Sequence, residues 1–104
     1  MSVNLVQIVF SLDVGGVEKL IVEMARKINR KQFNFSVCCL TKEGTLSEQL
    51  KNESVEIFYL QKKEGFDFGL IFRLAWLLRK QKAHILHTHD NSTLLYGTLA
   101  AKLA

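Results

Sequence analysis

The stretch of sequence that decides the fold is Leu12-Asp13-Val14-Gly15-Gly16-Val17-Glu18. It lies between an apolar run, Leu5–Phe10, and a segment with helical periodicity that begins at about Gly16. A strand that turns through two glycines directly into a helix presents backbone N–H groups at the helix N-terminus, where a phosphate or carboxylate can bind. The stretch therefore predicts an α/β domain with an anion-binding loop.

Strand-like and helix-like patterns alternate along the chain. Short apolar runs predict four strands, at Leu5–Phe10, Asn34–Leu40, Val55–Leu60 and Ile85–Thr88. Segments with a helical period predict four helices, at about 16–30, 47–52 and 68–81, and from Asn91 or Ser92 to Ala104. This alternation is typical of parallel sheets built from right-handed βαβ units. We therefore predict a Rossmann-like α/β fold with strand order 3-2-1-4 and helices on both faces of the sheet.

The first and third helices carry the clearest local signals. Apolar residues at helical spacing predict the buried face of the first helix: Val17, Leu20, Ile21, Met24, Ala25 and Ile28. The same spacing predicts the core stripe of the third helix: Leu70, Ile71, Leu74, Leu77 and Leu78. Asp67 precedes the third helix and is a residue type that caps helix N-termini, so we expect it to be the N-cap.

The third helix also carries apolar residues outside its core stripe, Phe72 and Trp76. Basic residues surround them: Lys62, Lys63, Arg73, Arg79, Lys80 and Lys82. One interpretation is a patch that contacts an anionic membrane surface, which would place the protein at the inner face of the membrane. The interpretation that the sequence favours is packing against neighbouring loops or further chain, because buried helices are often apolar on more than one face.

Two loops converge in the predicted topology. If the first strand is central, its neighbours are strands two and four, and the crossovers leave it in opposite directions. Open α/β sheets bind ligands at the carboxyl ends of the strands beside such a switch point. The loops at 13–18 and His87–Ser92 both fall there, so we expect the functional site between them.

The glycine pair Gly15-Gly16 does not match a nucleotide-binding fingerprint. The pattern G-x-G-x-x-G is absent, no Lys-Ser/Thr of a P-loop follows, and the second strand does not end in the acidic residue that would hold a ribose. A dinucleotide-binding oxidoreductase is therefore disfavoured. The pair itself fits either close approach to a ligand or a tight turn.

The second cluster is His87-Thr88-His89-Asp90. Alternation along a strand places both histidines on one side, and Asp90 is close enough in sequence to orient one imidazole. A zinc site lacks a third His or a Cys at suitable spacing, so we expect no metal. The simpler alternative is that His87 is a packed residue at the strand end and that Asp90 or Asn91 only caps the helix. His89, beside the loop, is the better candidate to face a cleft, whereas His84 lies at the opposite end of the sheet and is expected to be structural.

Composition limits the class of protein. The chain has 104 residues, of which 48% are hydrophobic and 23% charged, so we expect one globular domain. The net charge of +4 is not gathered into a nucleic-acid-binding motif.

Adjacent Cys38 and Cys39 suit small buried thiols in a reducing compartment, and no signal peptide precedes them, so we expect a cytoplasmic protein. The fourth helix lacks a stop signal and no fifth strand covers strand four, so we expect a piece of a longer protein whose free edge promotes self-association.

Taken together, the segments 12–18, 37–44 and 84–90, with Leu95-Tyr96-Gly97 and Ala100-Ala101, resemble the N-terminal domain of family 4 glycosyltransferases of the GT-B fold. Within that family the chain is similar to bacterial transferases of exopolysaccharide systems. The resemblance implies an incomplete, acceptor-side domain that lacks the donor-binding domain and is inactive alone. It implies a retaining, metal-independent transfer of a hexosyl group from a nucleotide-sugar donor to a glycan or a lipid-linked acceptor. No cofactor is implied, because the nucleotide-sugar donor is a co-substrate.

The resemblance also implies roles for particular residues. His89 and Asp90 would act at the reacting sugar, and backbone and basic groups would stabilise the leaving diphosphate. The residues expected to bind donor or substrate are Gly15, Gly16, Glu18, His87 and Asn91. The alternative function is a stand-alone binding or regulatory module of flavodoxin-like topology, in which the two glycines only form a turn.

Overall fold

The computed structural model describes residues 3–11, 16–41, 44, 47–53 and 55–104, with the backbone alone for residues 16–18. Four strands and four helices alternate in this part of the chain. The strands are β1 (Val3–Val9), β2 (Phe33–Cys39), β3 (Glu56–Tyr59) and β4 (Ile85–Thr88). The helices are α1 (Gly16–Lys27), α2 (Ser47–Asn52), α3 (Phe68–Lys80) and α4 (Asn91–Leu103).

The strands form one parallel sheet in the order β3-β2-β1-β4. β1 is central: all seven of its residues pair with β2, and Leu5–Ile8 also pair with β4. The predicted Rossmann-like α/β fold and its strand order 3-2-1-4 are therefore confirmed.

Helices cover both faces of the sheet. Leu5 and Val9 of β1 face a core that contains Ile21 of α1 and Leu50 of α2. The alternate residues of the same strands face a second core formed with α3 and α4, and this core contains Val6, Ile8, Cys38, Leu70, Leu74 and Ala100. The central strand is apolar on both faces because both faces are covered.

The two cysteines show the same alternation. Cys39 lies in the core on the α1 side, whereas Cys38 lies in the core on the α3 side. Both are buried and neither forms a disulfide, as the sequence predicts. Burial, with a smaller contribution from the neighbouring Cys39, raises the pKa of the Cys38 thiol to about 12. Cys38 is therefore protonated and unreactive at neutral pH.

The predictions for the buried face and for the end of α1 are partly wrong. The sequence places Leu20 in the core, but Leu20 is 51% exposed and Val22 is buried instead. The helix also ends at Lys27 rather than near Arg30. Its end has a local cause: the Asn29 Oδ1 accepts the Lys31 N–H at 2.9 Å, which offers the backbone a turn in place of another helical bond.

Helix α4 packs closely on the sheet through Gly97. A Cβ atom added to Gly97 would lie 3.2 Å from the Thr88 Cγ2 and 3.3 Å from the Ile8 Cδ1. The absence of a side chain therefore allows the close approach of α4 to β1 and β4. β4 has no neighbour on its other side among the described strands. Self-association through this edge stays a prediction.

Within the described residues, no helix combines the length and the apolar character that crossing a membrane requires.

Asp67 is the N-cap of α3, as the sequence predicts, and has several further partners. Its carboxylate accepts the backbone N–H of Leu70 at 3.0 Å and that of Lys63 at 3.1 Å, and it pairs with the Arg73 guanidinium at 3.2 Å. The Asp67 N–H in turn donates to the Tyr96 hydroxyl of α4 at 2.9 Å. The hydrogen bond from Lys63 is the largest cause of an Asp67 pKa that is lowered from 3.8 to about 2. Asp67 therefore links the loop before α3, α3 itself and α4.

We expect Asp67→Asn to change how stability depends on pH. A carboxylate whose pKa is lower in the folded state stabilises the fold above its unfolded pKa, near 3.8, and loses that contribution as the pH falls through about 2. Asparagine keeps the capping geometry without the charge. Urea unfolding of both proteins between pH 2 and pH 6 should show a wild-type advantage that grows up to about pH 4 and is constant above it. The same difference at every pH would contradict a role for the charge.

Candidate functional site

The carboxyl ends of β1 and β4 lie side by side at one edge of the sheet, because the two strands are parallel neighbours. α1 begins after β1, at Gly16, and α4 begins after β4, at Asn91. Both helix N-termini therefore start from the edge where the sequence predicts the site. Of the predicted loop residues, Gly15 lies outside the described residues, and of Gly16 and Glu18 only the backbone is described.

The best-defined contact of the site joins Gln7 to His89. Gln7 lies in the middle of β1 and is 0% exposed, and its Oε1 lies 2.7 Å from the His89 Nε2. Because Oε1 is an acceptor, this geometry assigns the ring proton of a neutral His89 to Nε2. The Gln7 Nε2 faces the Met24 Sδ of α1 at 4.0 Å. The buried amide thereby holds the His89 ring in one orientation.

His87 and His89 lie on the same side of the sheet, as alternation predicts, and their ring centroids are 4.2 Å apart. The expectation that His87 is packed at the strand end is wrong, since its side chain is exposed. In the register of the sheet His87 pairs with Gln7, which α1 covers. The exposed Ile85 shows that this cover does not extend over β4 on the same face. A ligand therefore has access to the His87 ring.

Asp90 is the N-cap of α4, as the simpler alternative predicts. Its Oδ1 accepts the Thr93 N–H at 2.8 Å, and the Thr93 Oγ1 accepts the backbone N–H groups of Asp90 and His89 at 3.1 Å each. Thr93 itself is fully buried. These bonds fix the loop that carries His89, so Asp90 contributes to the position of that ring. Asn91 is exposed as the first residue of α4. The roles of Asp90 and Asn91 toward a substrate stay predictions.

His84 lies at the opposite end of β4. Its Nδ1 accepts the Asn4 N–H at 2.9 Å, and its backbone N–H donates to the Asn4 carbonyl at 2.9 Å. These bonds connect the start of β4 to β1, so the structural role expected for His84 agrees with the geometry.

The described residues contain no group of three or more His, Cys, Asp or Glu side chains placed to hold a metal ion. The histidine pair offers two imidazoles, and one of them already contacts Gln7. The expectation of a metal-independent site stays a prediction.

Sequence reasoning missed two residues of this site, Gln7 and Thr93. Gln7 had a signal, because it is the one polar residue in the apolar run Leu5–Phe10. A polar residue in a central strand needs a buried partner. Thr93 also had a signal, since it stands three positions after Asp90 and forms a reciprocal capping box with it.

Three comparisons with known proteins identify the class of this protein. The model of Glycosyltransferase Family 4 matches residues 14–104, and the chain belongs to that family. A crystal structure of a glycosyltransferase from Rickettsia africae superposes with a TM-score of 0.76 and 21% identity, over 99% of this chain and 27% of that one. That likeness shows the fold. The resemblance to the N-terminal domain of these transferases is thus confirmed.

Two curated relatives are similar in sequence. The capsular polysaccharide biosynthesis glycosyltransferase CapH of Staphylococcus aureus is 28% identical over 88 residues, which are 84% of this chain and 24% of that protein. The UDP-Gal:alpha-D-GlcNAc-diphosphoundecaprenol alpha-1,3-galactosyltransferase of Escherichia coli is 29% identical over 96 residues, 88% of this chain and 24% of that protein. The chain spans about a quarter of the length of either relative.

We expect Gln7→Leu to release the His89 ring without unfolding the protein. Leucine has a similar volume, and His89 is only half-buried, so we expect the loss of this one hydrogen bond to be tolerated. Nitrogen-15 NMR of the imidazoles should show the proton of neutral His89 on Nε2 alone in the wild type and a mixture of both tautomers in the variant. His84 is the internal control, because its own partner, Asn4, is unchanged. A wild-type His89 protonated at Nδ1 when neutral would contradict the assigned geometry.

Proposed function

We propose that this chain is the acceptor-side part of an enzyme that transfers a hexosyl group from a nucleotide-sugar donor to a glycan or lipid-linked acceptor. The transfer retains the anomeric configuration and needs neither a metal nor another cofactor. The observation that carries the proposal is the family match over residues 14–104, which spans both loops at the switch point. This match also favours a transferase over the stand-alone binding module.

The names of the relatives support the choice of substrates. One relative is named for capsular polysaccharide biosynthesis, and the name of the other states a UDP-sugar donor and an acceptor on diphosphoundecaprenol. We infer that this chain serves a related transfer, on the cytoplasmic side of a membrane that carries such acceptors. The relatives are about four times as long as the matched segment, so we infer that a donor-binding domain completes the site.

His89 is the residue that we assign to the reacting sugar. Its ring is fixed by Gln7 at 2.7 Å, and its loop is fixed by Thr93. A group held in this way can hydrogen-bond a sugar hydroxyl without losing side-chain freedom at the moment of reaction. The exposed His87 lies against the same ring and extends the polar surface that a sugar can contact.

The two helix N-termini and the capping residue complete the proposed site. α1 begins at Gly16 and directs its first N–H groups toward the edge where the donor diphosphate would lie. We assign donor binding to Gly15, to Gly16 and to Glu18, which lies in the first turn of α1. At the other loop, Asp90 positions His89, and Asn91 is exposed at the start of α4. Leaving-group charge would thus be stabilised by backbone dipoles and by basic groups of the completing domain.

We expect His89→Ala to lower the turnover of the full-length protein by about 100-fold or more, as the removal of one preorganised polar group at a reacting centre does. His84→Ala is the matched control, because it removes the same side chain from the opposite end of β4. Sugar transfer should be measured with a panel of nucleotide sugars, and circular dichroism should confirm the fold of both variants. Wild-type turnover in His89→Ala would refute the assigned role.

A second experiment tests whether sugar transfer requires a further domain. The 104-residue chain alone should transfer no sugar from any donor of the same panel, whereas the full-length protein should be active. Turnover by the chain alone would show that the site is complete without a further domain.

A further inference from the structure

The partner that fixes the His89 ring is an uncharged amide. The Gln7 side chain is fully buried in β1, and its Oε1 lies 2.7 Å from the His89 Nε2. Histidines at reacting centres are often oriented by a carboxylate, which also stabilises the imidazolium form of the ring. An amide oxygen accepts the same hydrogen bond without supplying a negative charge. Gln7 therefore fixes the ring and gives its charged form no ion-pair partner.

The other end of the Gln7 amide determines which of its atoms faces His89. The Gln7 Nε2 lies 4.0 Å from the Met24 Sδ of α1. A thioether sulfur accepts hydrogen bonds weakly and donates none, so the NH2 group of the amide faces the sulfur and the carbonyl oxygen faces the imidazole. Since this oxygen can only accept, the proton of a neutral His89 lies on Nε2 and the lone pair lies on Nδ1.

The surroundings of His89 also favour an uncharged ring. His89 directly precedes Asp90, the N-cap of α4, so it lies at the positive end of that helix dipole. The centroid of the His87 ring is 4.2 Å away, and two imidazolium groups at this distance would repel each other. The Asp90 carboxylate is the neighbouring negative charge, and its Oδ1 already accepts a backbone N–H of α4. Of the described side chains, β1 and α1 place the uncharged Gln7 and Met24 on this side.

We propose that Gln7 is a positioning residue of the transferase, which acts through His89 by holding its ring neutral with Nδ1 as a hydrogen-bond acceptor. The inference rests on the proposed sugar transfer and adds the protonation state of His89 that this reaction uses. A neutral Nδ1 accepts a hydrogen bond from a hydroxyl group, whereas an imidazolium can only donate. The group that His89 presents to a substrate is therefore an acceptor for a hydroxyl and not a cation for a phosphate.

Two substitutions of Gln7 separate the orientation of the ring from its charge. Gln7→Leu removes the hydrogen bond but leaves a neutral ring that exchanges between tautomers. Gln7→Glu keeps an acceptor for the Nε2 proton and adds a charge that stabilises the imidazolium. In the full-length protein at pH 7 we expect kcat to fall about fivefold in Gln7→Leu and about 100-fold in Gln7→Glu, with KM changed by less than about threefold. If the ring only had to be oriented, the order would be reversed, with Gln7→Glu close to the wild type.

The pH profile of Gln7→Glu is a readout that orientation alone would not change. Raising the pH from 7 to 9 removes the second proton from the imidazolium, so Nδ1 becomes an acceptor again while the hydrogen bond from Nε2 remains. The deficit in kcat relative to the wild type should therefore shrink about tenfold or more over this range. A deficit that does not change with pH would overturn the proposal.

A matched control uses the same change at a distant position. Gln32→Glu adds one negative charge at an exposed residue directly before β2, at the opposite end of the sheet from His89. Its kcat should equal that of the wild type at both pH values, and circular dichroism should confirm the fold of every variant. If Gln7→Glu does not fold, Gln7→Leu still tests the proposal, because wild-type turnover in that variant would overturn it.

A measurement without substrate distinguishes a failure of this inference from a failure of sugar transfer. Nitrogen-15 NMR of the chain at pH 7 should show a neutral His89 with its proton on Nε2 in the wild type and an imidazolium in Gln7→Glu. A wild-type ring that is charged at this pH, or neutral with its proton on Nδ1, would overturn the proposal. No transfer by the wild-type full-length protein would refute the proposed function, whereas transfer in which Gln7→Glu is faster than Gln7→Leu would refute this inference alone.

Discussion

The central strand β1 is hydrogen-bonded on both sides, to β2 and to β4, and the rest of the structure depends on this arrangement. Both edges of β1 are used by backbone bonds, and both of its faces are covered by helices, so its side chains must be almost entirely apolar. α1 covers one face and α4 packs on the other. The two loops that follow β1 and β4 are brought together because their strands are parallel neighbours. The position of the functional site is thus a consequence of strand pairing.

One buried side chain of β1, Gln7, departs from this rule. A buried amide without partners would destabilise the fold by a few kcal/mol, so Gln7 has to be hydrogen-bonded. Its partner is His89, which lies 82 positions further along the chain. This hydrogen bond has two effects: it gives the buried amide of Gln7 a partner, and it stops the imidazole of His89 from rotating. The hydrogen bond that the core needs for stability therefore also orients a candidate catalytic group.

The two faces of helix α3 differ in burial and in charge. Its inner face supplies a large part of the core, and its N-terminus is fixed by Asp67. The ion pair between Asp67 and Arg73 removes one positive charge from the outer surface, so the remaining charge belongs to lysines and to Arg79. The aromatic rings of Phe68, Phe72 and Trp76 on the outer face are mostly exposed, so folding removes only a small part of their surface from water.

The sequence by itself determined the order of elements, the strand order, the cap of α3 and the opposite placement of the two cysteines. The elements, the cap and the cysteine placement depend on periodicity and on chemistry within a few residues, whereas the strand order follows from the rules for right-handed βαβ units. The tertiary structure alone decided that Val22 rather than Leu20 is buried, that His87 is exposed, and that Gln7 holds His89. Each of these depends on which distant element covers a given surface, and a pattern within one segment does not contain that information.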